Sequence, residues 1–354
     1  MSVLSPLQLC IVCITLTSTV TAANTFAAPG SPDSQQQEYS RPDERLTASF
    51  DNLRWVIDQS TRHNVPLSGG NSFWQHAIGL DLHKVFQNEY GDYGTLIFQP
   101  FLVRVENLKN PPAFFDDGND WALNWRMINF NYTALAKGKF NIRLGHFEVP
   151  FGLEQNIDTN GTLRQYTFST RAIKADWGFS VNGALNKLDY EFALSRGSGN
   201  DYSSRHNPYL FSGRIGTPVT KNLVFGVSGF FGETLQKNGT TNRKLLAVDL
   251  AYYFYQWEFL LELSGGDVDD DTETHILTEA SWRSPMESLH LYSQFRNSSK
   301  KFSGQRTSLN SITVGIHYDF TSSTGLSGEI RHNFDAALPN QQTSNLLLQL
   351  RVRI

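Results

Sequence analysis

Leu346-Leu347-Leu348-Gln349-Leu350-Arg351-Val352-Arg353-Ile354 closes the chain. Read with a period of two, Leu348, Leu350, Val352 and Ile354 share one face, and Gln349, Arg351 and Arg353 share the other. That is a strand with one apolar and one polar side. The same pattern recurs upstream. Phe140, Ile142 and Leu144 oppose Asn141 and Arg143, and Leu188, Tyr190, Phe192 and Leu194 oppose Asp189, Glu191 and Ser195. Trp257, Phe259, Leu261 and Leu263 oppose Glu258 and Glu262, and Ile312, Val314, Ile316, Tyr318 and Phe320 oppose Thr313, His317 and Asp319. A soluble sandwich alternates too, because one face of each sheet meets water. The connections separate the two. Sixteen strands can be placed from Leu46 onward, the first at Leu46 to Asp58, joined alternately by short turns and by longer loops near 60–72, 108–120, 150–175, 197–209, 235–242, 265–273, 297–308 and 336–344. Short turns on one side and long loops on the other are the signature of a transmembrane antiparallel β-barrel.

Composition agrees. Aromatics make up 13% of the 354 residues and charged residues 18%, which suits many short strands better than helices. A formal net charge of -4 provides no basic field for nucleic acid, which is excluded as a partner. Tyr252, Tyr253, Phe254, Tyr255 and Trp257 crowd one expected turn, with Trp282, Tyr318 and Phe320 ending strands on the same side, as an interfacial girdle requires.

The N-terminus reads as targeting sequence. Leu7 to Val20 is an apolar run of signal-peptide length followed by small residues, although no Lys or Arg precedes Arg41. Residues 1–22 are therefore expected to be a cleaved signal, 23–45 a flexible segment rich in Ser, Gln, Pro and Asp, and 46–354 the barrel. Both cysteines, Cys10 and Cys13, fall within the signal, so the remainder offers no disulfide or thiolate metal site.

The run Asn141 to Gln155 holds Gly145-His146-Phe147-Glu148-Val149-Pro150-Phe151-Gly152-Leu153-Glu154 and resembles the strand-to-loop passage of the phosphate-selective porin O and P family. The resemblance implies a sixteen-stranded, homotrimeric outer-membrane barrel whose third external loop folds inward to narrow the pore. No residue set matching a phosphate site accompanies it. The same loop stands out without the resemblance, because 150–175 is the longest connection. Pro150 lacks the N–H needed to continue a ladder and turns the chain out of the wall.

Projecting the alternation places Arg104, Arg126, Arg143, Arg331, Arg351 and Arg353 on the lumen side as a basic arc. Asp189, Glu191, Asp249, Glu258, Glu262 and Glu279 form an opposing acidic wall, and the inward loop adds Glu154, Asp158, Arg164, Arg171 and Lys174. Charged rows in a confined lumen select ions by their field, and a guanidinium keeps its charge and binds carboxylate or phosphate as a fork. The same charges could equally serve only to solvate the lumen, so ion preference stays open at this stage.

Other chemistry finds little footing. Asp267 to Asp271 lacks the Gly and bidentate Glu of an EF-hand, Gly226-Val227-Ser228-Gly229 falls one residue short of a nucleophile elbow, and the histidines have no metal-ligand spacing. His317 and Asp319 point inward together but lack an identifiable nucleophile. The reading is a porin in the bacterial outer membrane, in contact with lipid and lipopolysaccharide, without cofactor or catalysis. It passes small polar or anionic solutes, phosphate-like or carboxylate anions among them. The alternative is a binding or adhesion barrel acting through its external loops.

Overall fold

A computed structural model describes residues 48–354 apart from 51, 90, 107–119, 168–170, 201, 237–238, 303–304 and 335–343. The expected signal and the segment that follows it lie outside the described residues. Seventeen strands are present among the described residues: β1 Ala48–Phe50, β2 Leu53–Pro66, β3 Phe73–Asn88, β4 Gly91–Glu106, β5 Ala122–Tyr132, β6 Asn141–Glu148, β7 Ala175–Ala184, β8 Asp189–Ser195, β9 Leu210–Gly216, β10 Leu223–Gln236, β11 Gly239–Phe254, β12 Trp257–Val268, β13 Asp271–Arg283, β14 Leu289–Phe302, β15 Gln305–Thr321, β16 Thr324–Asn333 and β17 Ser344–Arg353. Each of β2 to β17 pairs antiparallel with its neighbours, and β17 pairs back onto β2 with Leu350 opposite Thr61, so sixteen strands close a cylinder. Closure satisfies every sheet edge, as a membrane-spanning sheet must.

Two expectations need correction. The first wall strand is Leu53–Pro66, not Leu46 to Asp58. Asn52 adopts φ 59, a left-handed turn conformation, and folds β1 back on β2 as a short hairpin with Phe50 opposite Leu53. The alternation of long and short connections also fails at three of the eight expected long loops. Gln236 pairs with Gly239, Val268 with Asp271 and Phe302 with Gln305, so stretches read as loops are continuing hairpins. Apolar alternation ends where the apolar belt ends, but backbone pairing needs no apolar side chain and runs on through Thr, Ser and Lys.

The outer face carries the apolar rows. Phe225, Val227, Phe259, Leu263, Ile316 and Leu348 are all exposed there. The girdle also forms: Tyr252, Phe254, Trp257 and Phe259 stack along the turn end of β11 and β12, and Tyr318 and Phe320 pack together on β15. Tyr253 alone points inward, against a buried cluster.

The inner face departs from the simple pattern. Val224, Ala251, Leu260 and Leu277 of the wall are buried around Leu153, Ile157 and Tyr166. Leu210, Phe230, Leu245, Ala247 and Val268 enclose Val149, Phe151 and Ile173. The inner surface of β9 to β13 is therefore a docking face for the segment between β6 and β7. Full burial of each Leu or Phe contributes about 1.5–3 kcal/mol to that docking.

Candidate channel constriction

The chain leaves the wall at the end of β6, where the Val149 N–H donates to the Lys174 carbonyl at 2.9 Å and clamps the two ends of the excursion together. Pro150 follows, and a one-turn 3-10 helix, Gly152–Gln155, carries the chain across the lumen. Gly152 has φ +64 and lies against the Glu262 carboxylate, where a Cβ would collide. Only glycine satisfies both demands. Its N–H donates to Ser228 Oγ at 2.9 Å, and the Leu153 N–H donates to Glu262 Oε2 at 2.9 Å.

Arg164 provides the second anchor. Its guanidinium donates to Glu258 at 2.8 Å and to Glu279 through Nε at 2.8 Å, with the Tyr166 hydroxyl donating to the same Glu279 oxygen at 3.3 Å. Burial alone would lower the Arg164 pKa, but Glu258 and Glu279 outweigh it and hold the guanidinium charged. Within the loop, Arg171 donates to the Phe151 carbonyl at 3.1 Å and pairs with Glu154, which Thr167 also contacts. Burial pushes the Glu154 carboxyl up, yet Arg171 and Lys174 overcome it, and its pKa lies below the ordinary carboxylate value. At the tip, the Gly161 carbonyl accepts from Gln349 at 2.7 Å and the Thr162 carbonyl from Arg62 at 3.1 Å. The loop thus reaches from β6 to β10–β13 and on to β17 and β2.

The acidic wall is largely consumed by these contacts. Glu258, Glu262 and Asp249 are buried, the last bound by Arg214 through bonds of 2.6 and 3.0 Å. Glu191 accepts from Arg143 at 2.8 Å and from Gln155 at 2.7 Å. Asp189 lies at the turn end of β8, opposite Gly216. The acids and the arginines do not face one another across open water.

The basic arc keeps most of its members on the inner face. Arg351 binds Asp58 through Nε at 2.9 Å, and Arg126 reaches the same carboxylate at 3.5 Å. Arg353 lies 3.7 Å from Asp81, and Arg331 donates to Glu329 at 2.7 Å. Arg126 owes its position to a β-bulge: Gln99 pairs with Met127 and Pro100 with Trp125, leaving Arg126 as the extra residue, folded over the Phe101 ring at 3.7 Å. Bulges commonly re-aim a side chain in this way, and Pro100 is tolerated where the ladder is already interrupted. The loop's Asp158 is exposed and close enough to Arg126 and Arg351 to interact electrostatically with both.

Arg104 is a correction. It shares the outer face with Leu102, which is 46% exposed, and pairs with Glu106 at 3.1 Å. Period two predicts polar residues inward, but here Phe101, Val103 and Val105 form an inner apolar cluster, and Arg104 and Glu106 between and beyond them face out. Arg62, Arg296 and Asp58 join the lumen although sequence reading passed over them. Arg62 was hidden by the misplaced first strand; the alternation of Trp55 and Ile57 against Val56 and Asp58, continued to Arg62, is the signal that would have found it. Ser327 also completes a row with His317 and Asp319, at 2.9 and 3.0 Å from the two imidazole nitrogens.

No known family model matches the chain, and no curated protein matches its sequence. Solved structures do resemble it. Salmonella typhi OmpF in complex with daunomycin superposes with a TM-score of 0.64 at 11% identity, covering 87% of this chain and 100% of that one. Outer-membrane expressed OmpT of Vibrio cholerae gives 0.60 at 10% identity, covering 87% and 100%. An anion-selective porin from Comamonas acidovorans gives 0.57 at 15% identity, covering 85% and 98%. At such identities the likeness is one of fold.

Proposed function

We propose that the chain is an outer-membrane porin, a passive diffusion channel that favours small anions over cations, exported by residues 1–22 and tethered by 23–45. The observation that carries this reading is the unequal fate of the two charged arcs. Glu258, Glu262 and Glu279 hold the inward loop and are buried by it, whereas Arg126, Arg351, Arg353 and Arg331 stay part-exposed on the inner face. An ion threading the lumen responds to charges within about a Debye length, roughly 8–10 Å, and there these four guanidinium groups outnumber the three carboxylates they pair with, Asp58, Asp81 and Glu329. The long-loop end is taken as external and the turn end as periplasmic. The fold neighbour described as an anion-selective porin is consistent with the proposed preference.

Kinship with the phosphate-selective porin O and P family rests on the Gly145 to Glu154 passage, and phosphate is one of the small anions the channel would admit. Planar-bilayer recording under a salt gradient tests the proposal. A reversal potential on the anion side is expected; a cation-selective or non-conducting protein would overturn it.

We also propose that the chain assembles as a homotrimer through β2 to β4. Thr61, His63, Trp74, His76, Arg104 and Glu106 meet on the outer face there, with His63 stacked on Trp74 at 3.9 Å and Thr61 bonded to His76 at 3.1 Å. Polar groups on that face favour a protein cover over lipid.

A further inference from the structure

A different part of the outer face carries a built hollow. It has a volume of about 460 Å³ and lies where β6, β7 and β8 reach the long-loop end. The backbone of Gly145 and Gly178, which stand opposite each other in the β6–β7 ladder, lines it. Aromatic rings wall it: Trp177 meets Tyr202 edge-on at 6.4 Å, and Tyr209 stands beside them, 60% exposed. Phe179 and Leu194, both exposed, continue from the hollow down the apolar belt.

Arg196 is the charged group of the hollow. It follows Phe192 and Leu194 in the outward row of β8 and caps the strand with a backbone N–H to the Trp177 carbonyl at 2.8 Å. One edge of its guanidinium donates to the Ser203 carbonyl at 3.0 Å, and the group lies 5.8 Å from the Tyr202 ring centre. Its Nε is buried with no hydrogen-bond partner among the described residues, and none of their carboxylates pairs with it. A buried donor on a charged group is costly until an acceptor arrives, and a guanidinium fork matches phosphate in shape and charge. Trp and Tyr rings at the same level are the usual furniture of the headgroup boundary, amphipathic at the depth where lipid becomes polar.

We propose that this hollow seats the phosphate of an outer-leaflet lipid on Arg196, with an acyl chain lying along Leu194 and Phe179. The proposal rests on the membrane residence argued above, and conductance keeps the two readings separate in the test. Purified protein in a neutral maltoside detergent is mixed with dioleoylphosphatidic acid or with dioleoylglycerol, which lacks the phosphate, and the lipid retained is counted by native mass spectrometry. Wild type should retain the phosphorylated lipid about tenfold better than the neutral one, Arg196→Gln should abolish the difference, and Arg196→Lys should restore only part of it. Tyr202→Ala should weaken retention of both lipids. Every variant is also recorded in planar bilayers. A conducting Arg196→Gln channel that keeps the wild-type lipid preference, or a conducting wild type with no preference, overturns the proposal and leaves the channel reading intact.

Discussion

Arg126 shows how one residue out of register gains new partners. A β-strand offers only two facings, and the bulge against Gln99 and Pro100 allows Arg126 to reach Asp58 beside Arg351. In a water-filled lumen a unit charge a few ångströms away contributes roughly 1 kcal/mol, which raises the local concentration of an anion about fivefold and lowers that of a cation by a similar factor. Replacing Arg126 and Arg351 together by Gln should therefore lower anion preference by at least that factor, read as a reversal-potential shift toward cations. Arg143→Gln should shift it less, because that guanidinium is paired one to one with the Glu191 carboxylate, whereas Arg126 and Arg351 share the single carboxylate of Asp58. If the double variant keeps the wild-type reversal potential, the arc is not the selectivity element. At this scale the sequence was legible where apolar residues face lipid, as with Arg351 between Leu350 and Val352. It misled at Arg104, where apolar Val103 and Val105 face inward and polarity no longer reports the lumen.

The excursion from Val149 to Lys174 was legible as an element through its length and Pro150, but its docking was not. The docking depends on Leu245, Leu260 and Leu277, inner-face residues that in isolation look like defects in the alternation. Read together, they mark a wall that something must cover. Two predictions follow from the anchors. Glu258→Gln with Glu279→Gln would strand Arg164 among neutral groups, and breaking a buried pair from one side costs about 3–5 kcal/mol. The loop should undock, raising single-channel conductance and current noise while the heat-modifiable barrel persists; unchanged traces would place the anchorage elsewhere. The Glu154–Arg171 staple sets a pH limit. Because the folded Glu154 pKa lies below its ordinary 4.5, its stabilisation is fully present above that value and is lost as pH falls through the lower folded pKa. Spin-label distances between loop and wall should hold at pH 5 and lengthen only in stronger acid. Lengthening already at pH 5 would contradict the staple.

At the scale of the whole molecule the question is what covers the polar outer face of β2 to β4. An Arg facing lipid costs about 2–4 kcal/mol at the midplane and close to nothing at the interface, so the argument depends on depth. His63 pairs in register with Leu348 and Thr61 with Leu350, residues of the apolar row of β17, so these polar groups lie within the belt. His76 stands opposite Thr61, and Arg104 opposite His76, which carries the polar row across three strands. Lipid cannot satisfy such a row, whereas a second copy can, its own histidines and Arg104–Glu106 pair supplying acceptors and donors. The proposed closed trimer would bury the patch three times over. Arg104→Glu would place two acids side by side at each contact, so the variant should dissociate in mild detergent at a temperature at least 10 °C below wild type. The monomeric barrel should keep its own heat-modifiable mobility and its conductance. Leu144→Glu, on the apolar face of β6 away from the patch, is the control and should leave the dissociation temperature in place. If both variants dissociate alike, or if Arg104→Glu remains a wild-type trimer, the contact face lies elsewhere on the wall.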